Sequence, residues 1–155
     1  MNLLDAILGN DQSISTGDAQ HALEEVLIPQ EYMVHASRII RDLFVLTNLR
    51  VIIVDKQGIT GRKQAVHSIP YKSIVYITVE NAGTLDMEAE LTLRVTGGAE
   101  MVRRRFSRNT DIWEMQRLLS ALMHGQDVDV PKPAARTRSN PRPRSRPTTG
   151  TFSSN

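Results

Sequence analysis

With 155 residues the chain suits one domain, and the residues before about 126 suffice to bury a single core, so two full domains are not expected. The formal net charge of +2 hides an asymmetry: residues 131–155 carry Lys132, Arg136, Arg138, Arg142, Arg144 and Arg146 and no acid, while the other 13 basic residues face 17 acidic ones, a body of −4 with a tail of +6. Cysteine is absent, which excludes a disulfide framework and a thiolate metal site and makes a reducing cytoplasm the expected compartment.

The opening MNLLDAILGN carries Asp5, has no positive n-region, and is too short in its apolar run for a signal peptide or membrane span. LLDAIL spells one or two amphipathic turns, marginal unless they dock on something. Residues 16–28 have helical spacing in Ala19, Ala22, Leu23, Val26 and Leu27, with Ser15 or Thr16 as N-cap and Pro29 as terminator. Residues 1–29 are therefore expected to form a helical N-terminal extension.

From 31 to 106 the period changes to that of strands, and turn signals recur every 8 to 12 residues. Seven strands are expected, over 31–38, 41–47, 50–55, 63–69, 73–81, 87–95 and 100–106. The chain reverses at Thr47-Asn48, Gln57-Gly58, Ala82-Gly83 and Gly97-Gly98, and Pro70 interrupts pairing. In 87–95, Met87, Ala89, Leu91, Leu93 and Val95 alternate with Glu88, Glu90, Thr92 and Arg94, so one face is expected buried and the other wet.

Residues 110–124 return to helical spacing, with Ile112, Met115, Leu119, Leu122 and Met123 on one stripe, Thr110 or Asp111 as cap and Gly125 as stop. Such a helix must bury its stripe on a sheet or in a barrel mouth. Beyond it the sequence loses periodicity, and 127–155 read as a disordered Pro/Arg-rich tail. The expected fold is mainly β with helices, an antiparallel sheet or barrel over 30–126 closed by one C-terminal helix.

The strings RDLFVLTNLRVIIVDKQGITGRK (41–63), SIPYKSI (68–74) and VENAGTLDMEAEL (79–91) closely resemble small bacterial pleckstrin-homology-domain proteins, and the resemblance extends over about 20–124. It implies a bent seven-stranded sheet with one C-terminal helix, assembly into symmetric rings, and no catalytic residues. Eukaryotic domains of this kind that hold phosphoinositides use a basic cluster in the first hairpin. Here that hairpin offers Arg38 and Arg41 beside Asp42, so the basic pattern is missing.

His21, His35, His67 and His124 lack the spacings of a zinc or catalytic site and read as ordinary polar residues. GITG (58–61), followed by Arg62 and Lys63, lacks the helix and hydroxyl of a phosphate loop and reads as a hairpin turn. Asp86, Glu88 and Glu90 fall on one strand face, either solvated or set against Arg103, Arg105 or Lys72 of a neighbouring subunit. Arg103 and Arg105 point to one side and Arg104 to the other, equally suited to an interface or lipid patch and to protecting an edge strand. Ser68-Ile69-Pro70-Tyr71-Lys72 reads as a stiff corner, or as an edge that another chain extends. Trp113 is expected to pack in the core or against the helix cap.

These features point to a non-enzymatic, cytoplasmic binding or scaffold module without cofactor, metal or small-molecule substrate. Its expected partner is itself, in a homo-oligomeric ring, with Ser68, Pro70, Tyr71, Lys72, Glu88, Glu90, Arg103 and Arg105 as candidate interface residues; another protein could add by strand-edge pairing. The alternative is an anionic-ligand or peripheral membrane module at the inner membrane face. It would use Arg38, Arg41, Lys56, Arg62 and Lys63, with Arg142, Arg144 and Arg146 in a tail that also suits nucleic acid.

Overall fold

The structure, a computed structural model, describes residues 16–39, 42–57, 63–81, 83, 88–97, 101–107 and 110–129. A short helix α1 (Thr16–Ala22) precedes strands β1 (Met33–Ile39), β2 (Asp42–Thr47), β3 (Arg50–Gln57) and β4 (Lys63–Pro70). One turn of 3-10 helix (Tyr71–Ser73) leads to β5 (Ile74–Glu80), β6 (Glu88–Val95) and β7 (Met101–Ser107), and α2 (Ile112–Met123) follows. All pairings are antiparallel, in one sheet ordered β1-β2-β3-β4 and another ordered β5-β6-β7. The seven expected strands are present, each within two residues of the sequence reading.

The inner faces of the two sheets enclose one core, containing Phe44, Leu46, Val51, Ile53, Ala89, Leu91, Leu93 and Phe106. Phe44 and Phe106 tie the sheets together edge to face, with ring centroids 5.4 Å apart and planes at 86°. Helix α2 closes this core with Ile112, Met115, Leu119 and Leu122. Its cap is Asp111, whose side chain accepts from the Glu114 amide at 2.9 Å, and Gly125, at φ +68, lets the chain leave. Trp113, expected in the core or against the helix cap, is outside the core with half its surface exposed, because the buried stripe is set by 112, 115, 119 and 122.

The two sheets differ in what covers them. The outer face of the first sheet carries Leu43, Val45, Ile52 and Val54, and Ala19 and Leu23 of the N-terminal segment pack onto it, forming a second core. This explains why LFVL in β2 and VIIV in β3 are unbroken apolar runs: both of their faces are dry. In β6 Ala89, Leu91 and Leu93 enter the inner core, with Val95 packed against it, and the apolar–polar alternation of the sequence returns.

The N-terminal helix ends at Ala22, earlier than Pro29. Beyond it the amides of Glu24 and Val26 bond three residues back, to His21 and Leu23, so the coil tightens into turns. The Val26 carbonyl then accepts from Arg50 Nη2 at 2.9 Å, an external partner in place of a helical one. The proposed Ser15 cap and the LLDAIL turns lie outside the described residues.

Candidate functional site: the outer face of the second sheet

The register of β5, β6 and β7 lays out the outer face of the second sheet row by row. Tyr76, Arg94 and Met101 form one row, Thr78, Thr92 and Arg103 the next, and Glu80, Glu90 and Arg105 the third; Glu88 and Ser107 follow. Among the described residues, neither hydrophobic cluster includes these side chains.

Of the candidate interface residues, Glu88, Glu90, Arg103 and Arg105 are brought together here, but within one chain. Arg103 Nε meets Glu90 Oε1 at 3.0 Å, and Arg105 reaches Glu90 Oε2 at 3.5 Å and Glu88 Oε2 at 3.7 Å. The hairpin at Gly97, where φ is +76, sets this register and hence the pairing. These opposed charges therefore have partners in their own chain. As exposed cross-strand pairs they contribute on the order of 0.2–1 kcal/mol each.

The edge of this sheet at β5 has a different character. Its register shifts between Ile74 and Tyr76, and at that bulge Val75 and Tyr76 are both turned outward, 58% and 56% exposed. Regular alternation would have buried one of them. The other sheet ends in edge strand β4, where Val66 is exposed next to the covered face of the first sheet.

The SIPYK segment is a corner built from specific bonds. Ser68 Oγ accepts from Arg50 Nη1 at 2.8 Å, Pro70 ends β4, and Lys72 is exposed. Tyr71, grouped above with surface residues, is buried instead, and its hydroxyl donates to the Thr47 carbonyl at 2.6 Å. Burial, and secondarily the Glu31 charge, push its phenol far above the ordinary range.

Sequence reasoning missed the buried polar centre beside this corner. Arg50 Nε and Nη2 donate to the two oxygens of Glu31, both at 2.9 Å, and Thr47 Oγ1 donates to Glu31 Oε1 at 2.8 Å. The Ile28 amide donates to Glu31 Oε2 at 3.0 Å. Burial alone would raise the Glu31 carboxyl; the hydrogen bonds from Arg50, Ile28 and Thr47 outweigh it and hold the group below its usual range. The same hydrogen bond to Glu31 raises Arg50. This centre fastens the N-terminal segment to the first sheet.

Two histidines have partners that their sequence spacing concealed. His67 Nε2 lies 3.2 Å from Asp55 Oδ2, and Arg104, pointing inward from β7, places Nη2 3.1 Å from both Asp55 oxygens. Arg104 Nε is buried without a hydrogen-bond partner. His35 Nε2 lies 2.7 Å from Ser37 Oγ, and burial lowers its pKa despite the opposing charge of Glu114. A nucleophile–base pair needs a third group to orient the base, and among the described residues no carboxylate hydrogen-bonds His35. Nor, among the described residues, do three or more His, Asp or Glu gather as metal ligands.

Of the candidate anion contacts, Arg38, Lys56 and Lys63 lie at one end of the first sheet. Arg38 and Lys56 are half-buried and have partners, while Lys63 is exposed at the start of β4. Arg41, Arg62, Asp86, Gly58–Gly61, Arg142, Arg144 and Arg146 lie outside the described residues. Among the described residues, no helix is long and apolar enough to cross a membrane.

Known proteins share this architecture and sequence. The profile of the family described as bacterial PH domain matches residues 2–123. Uncharacterized protein YjqA of Bacillus subtilis (strain 168) is 41% identical over 124 residues, covering 79% of this chain and 98% of its own. A pleckstrin-homology domain from Shewanella amazonensis SB2B superposes with TM-score 0.64 at 42% identity, covering 77% of this chain and 97% of that one. A protein with a pleckstrin-homology domain from Shewanella loihica PV-4 does so with TM-score 0.65 at 37% identity, covering 71% and 94%.

Proposed function

The chain belongs to the bacterial PH domain family, and from that premise we propose that it is a non-enzymatic scaffold or binding module that assembles with copies of itself through its strand edges. The observation that carries this reading is the β5 bulge, which presents Val75 and Tyr76 to solvent on an edge strand. An edge strand offers unpaired backbone groups to another chain, and native proteins usually guard such edges with charge or proline. This edge carries two large apolar side chains instead. With Val66 on edge strand β4 of the other sheet, each copy has two different adhesive edges, the requirement for a heterologous contact that closes into a ring. The expected setting is the cytoplasm. Replacing Val75 and Tyr76 together by lysine should reduce the mass measured by light scattering, and an unchanged mass would remove the β5 edge from the assembly.

A second reading follows from charge. The tail of six basic residues without an acid suits an anionic membrane surface, where each basic residue is worth on the order of 1 kcal/mol. Sedimentation with anionic vesicles at low salt, with and without residues 131–155, tests it: tail-dependent binding supports it, and no binding removes it.

A further inference from the structure

We propose that the N-terminal segment, α1 and the turns that follow it, is exchanged between two copies, each copy's α1 lying on the outer face of the other's first sheet. The inference rests on self-assembly as the function and names a segment that joins the copies besides their strand edges. The segment passes into β1 through one tight turn, Ile28-Pro29-Gln30-Glu31, in which the Glu31 amide donates to the Ile28 carbonyl at 3.0 Å. Gln30 has φ +67 and is, among the described residues, the one residue other than glycine in the left-handed region. Proline second and a positive φ third make a type II turn, whose third position suits glycine, so a glutamine there is strained. Ile28, Pro29 and Gln30 are all exposed, and packing does not hold the turn shut.

The docked part of the segment loses nothing by exchange, because a second copy offers the same contacts. Ala19 and Leu23 enter an identical apolar face of Leu43, Val45, Ile52 and Val54. Gln20 Oε1 accepts from the Met33 amide at 3.0 Å, and the Val26 carbonyl from Arg50 Nη2 at 2.9 Å; both donors recur in the second copy. Glu31 stays on Arg50 of its own chain, so the fold beyond the turn is unaltered. What opening gives up is the turn's own bonds: the one between Glu31 and Ile28, the Ile28 amide to Glu31 Oε2, and Asn48 Nδ2 to the Gln30 carbonyl at 3.3 Å. The freedom lost on pairing opposes exchange, and relief at Gln30 favours it, the balance under which short strained hinges swap. Leu49, between Asn48 and Arg50 in the β2–β3 turn, is 43% exposed and Ile28 is 52% exposed. Two copies joined at their hinges withdraw this apolar surface from water.

Isotope-filtered NMR on the full chain tests this. Uniformly 13C-labelled and unlabelled chains, unfolded together and refolded, should show NOEs from the Leu23 methyls of one to the Val45, Ile52 and Val54 methyls of the other. Leu23 is fully buried against its own sheet in the closed chain, so edge pairing alone gives no such signal. Gln30→Gly, which relaxes the closed turn, should weaken these cross-chain NOEs at least twofold; unchanged or stronger ones would overturn the part assigned to the turn. Their persistence after Val75→Lys and Tyr76→Lys would keep the exchange even where the edge reading fails. A multi-chain mass without cross-chain NOEs would overturn the exchange while leaving edge assembly standing. A wild-type chain that is monomeric would remove both.

Discussion

Arg50 and Glu31 face each other through two hydrogen bonds of 2.9 Å, with no exposed surface on the Glu31 side chain. The pair joins the first residue of β3 to the segment that carries α1 onto the outer face of the first sheet. A bidentate guanidinium–carboxylate contact fixes orientation as well as distance. Here it fixes where the N-terminal segment lies.

Removing one partner strands the other. Arg50→Met should destabilise the fold by about 3–5 kcal/mol in a denaturant titration, because Glu31 is left charged and buried. Glu31→Leu combined with Arg50→Met should be less destabilised than the single Arg50 variant. A double variant worse than the single would contradict a pair held by mutual compensation.

Tyr71→Phe removes the donor to the Thr47 carbonyl and little volume. A loss of about 1–3 kcal/mol is expected, the cost of an unsatisfied buried acceptor. An unchanged denaturation midpoint would mean that the corner is held by packing alone.

The strands were legible because their turn residues are local: Asn48, Gly58, Gly83 and Gly97 mark reversals whatever the tertiary structure. The α1 docking site was also written in the sequence, as the non-alternating VIIV and LFVL, which require cover on both faces. Even the ion pairs of β6 and β7 followed from the Gly97 hairpin, whose register places Glu90 opposite Arg105. They read as a solvated face or as charges for another subunit because each strand was considered alone. Glu31–Arg50 and Asp55–Arg104 were not legible. Their partners stand 19 and 49 residues apart on elements whose approach depends on the packing of whole sheets.

Acid should weaken the fold in two stages. His35 has its pKa lowered from 6.5 by burial, so the unfolded chain takes up its proton first and stability falls as pH drops below 6.5 toward the lower folded value. Glu31 is lowered from 4.5, so its contribution, complete above 4.5, is lost as pH falls through its folded value. Denaturant midpoints measured from pH 8 to pH 3 should show both declines. His35→Gln should remove the upper one, and a midpoint flat across both windows would contradict these assignments.

Leu23→Ala should cost about 2–5 kcal/mol, since Leu23 is fully buried against the outer face of the first sheet. A loss under about 0.5 kcal/mol, typical of a surface site, would show that the N-terminal segment is a detachable appendage.

Self-assembly is the central claim, and the native mass of the unmodified chain tests it most directly. Light scattering over a range of protein and salt concentrations should give a discrete mass several times 17.4 kDa. A mass of one chain at every concentration would contradict the account.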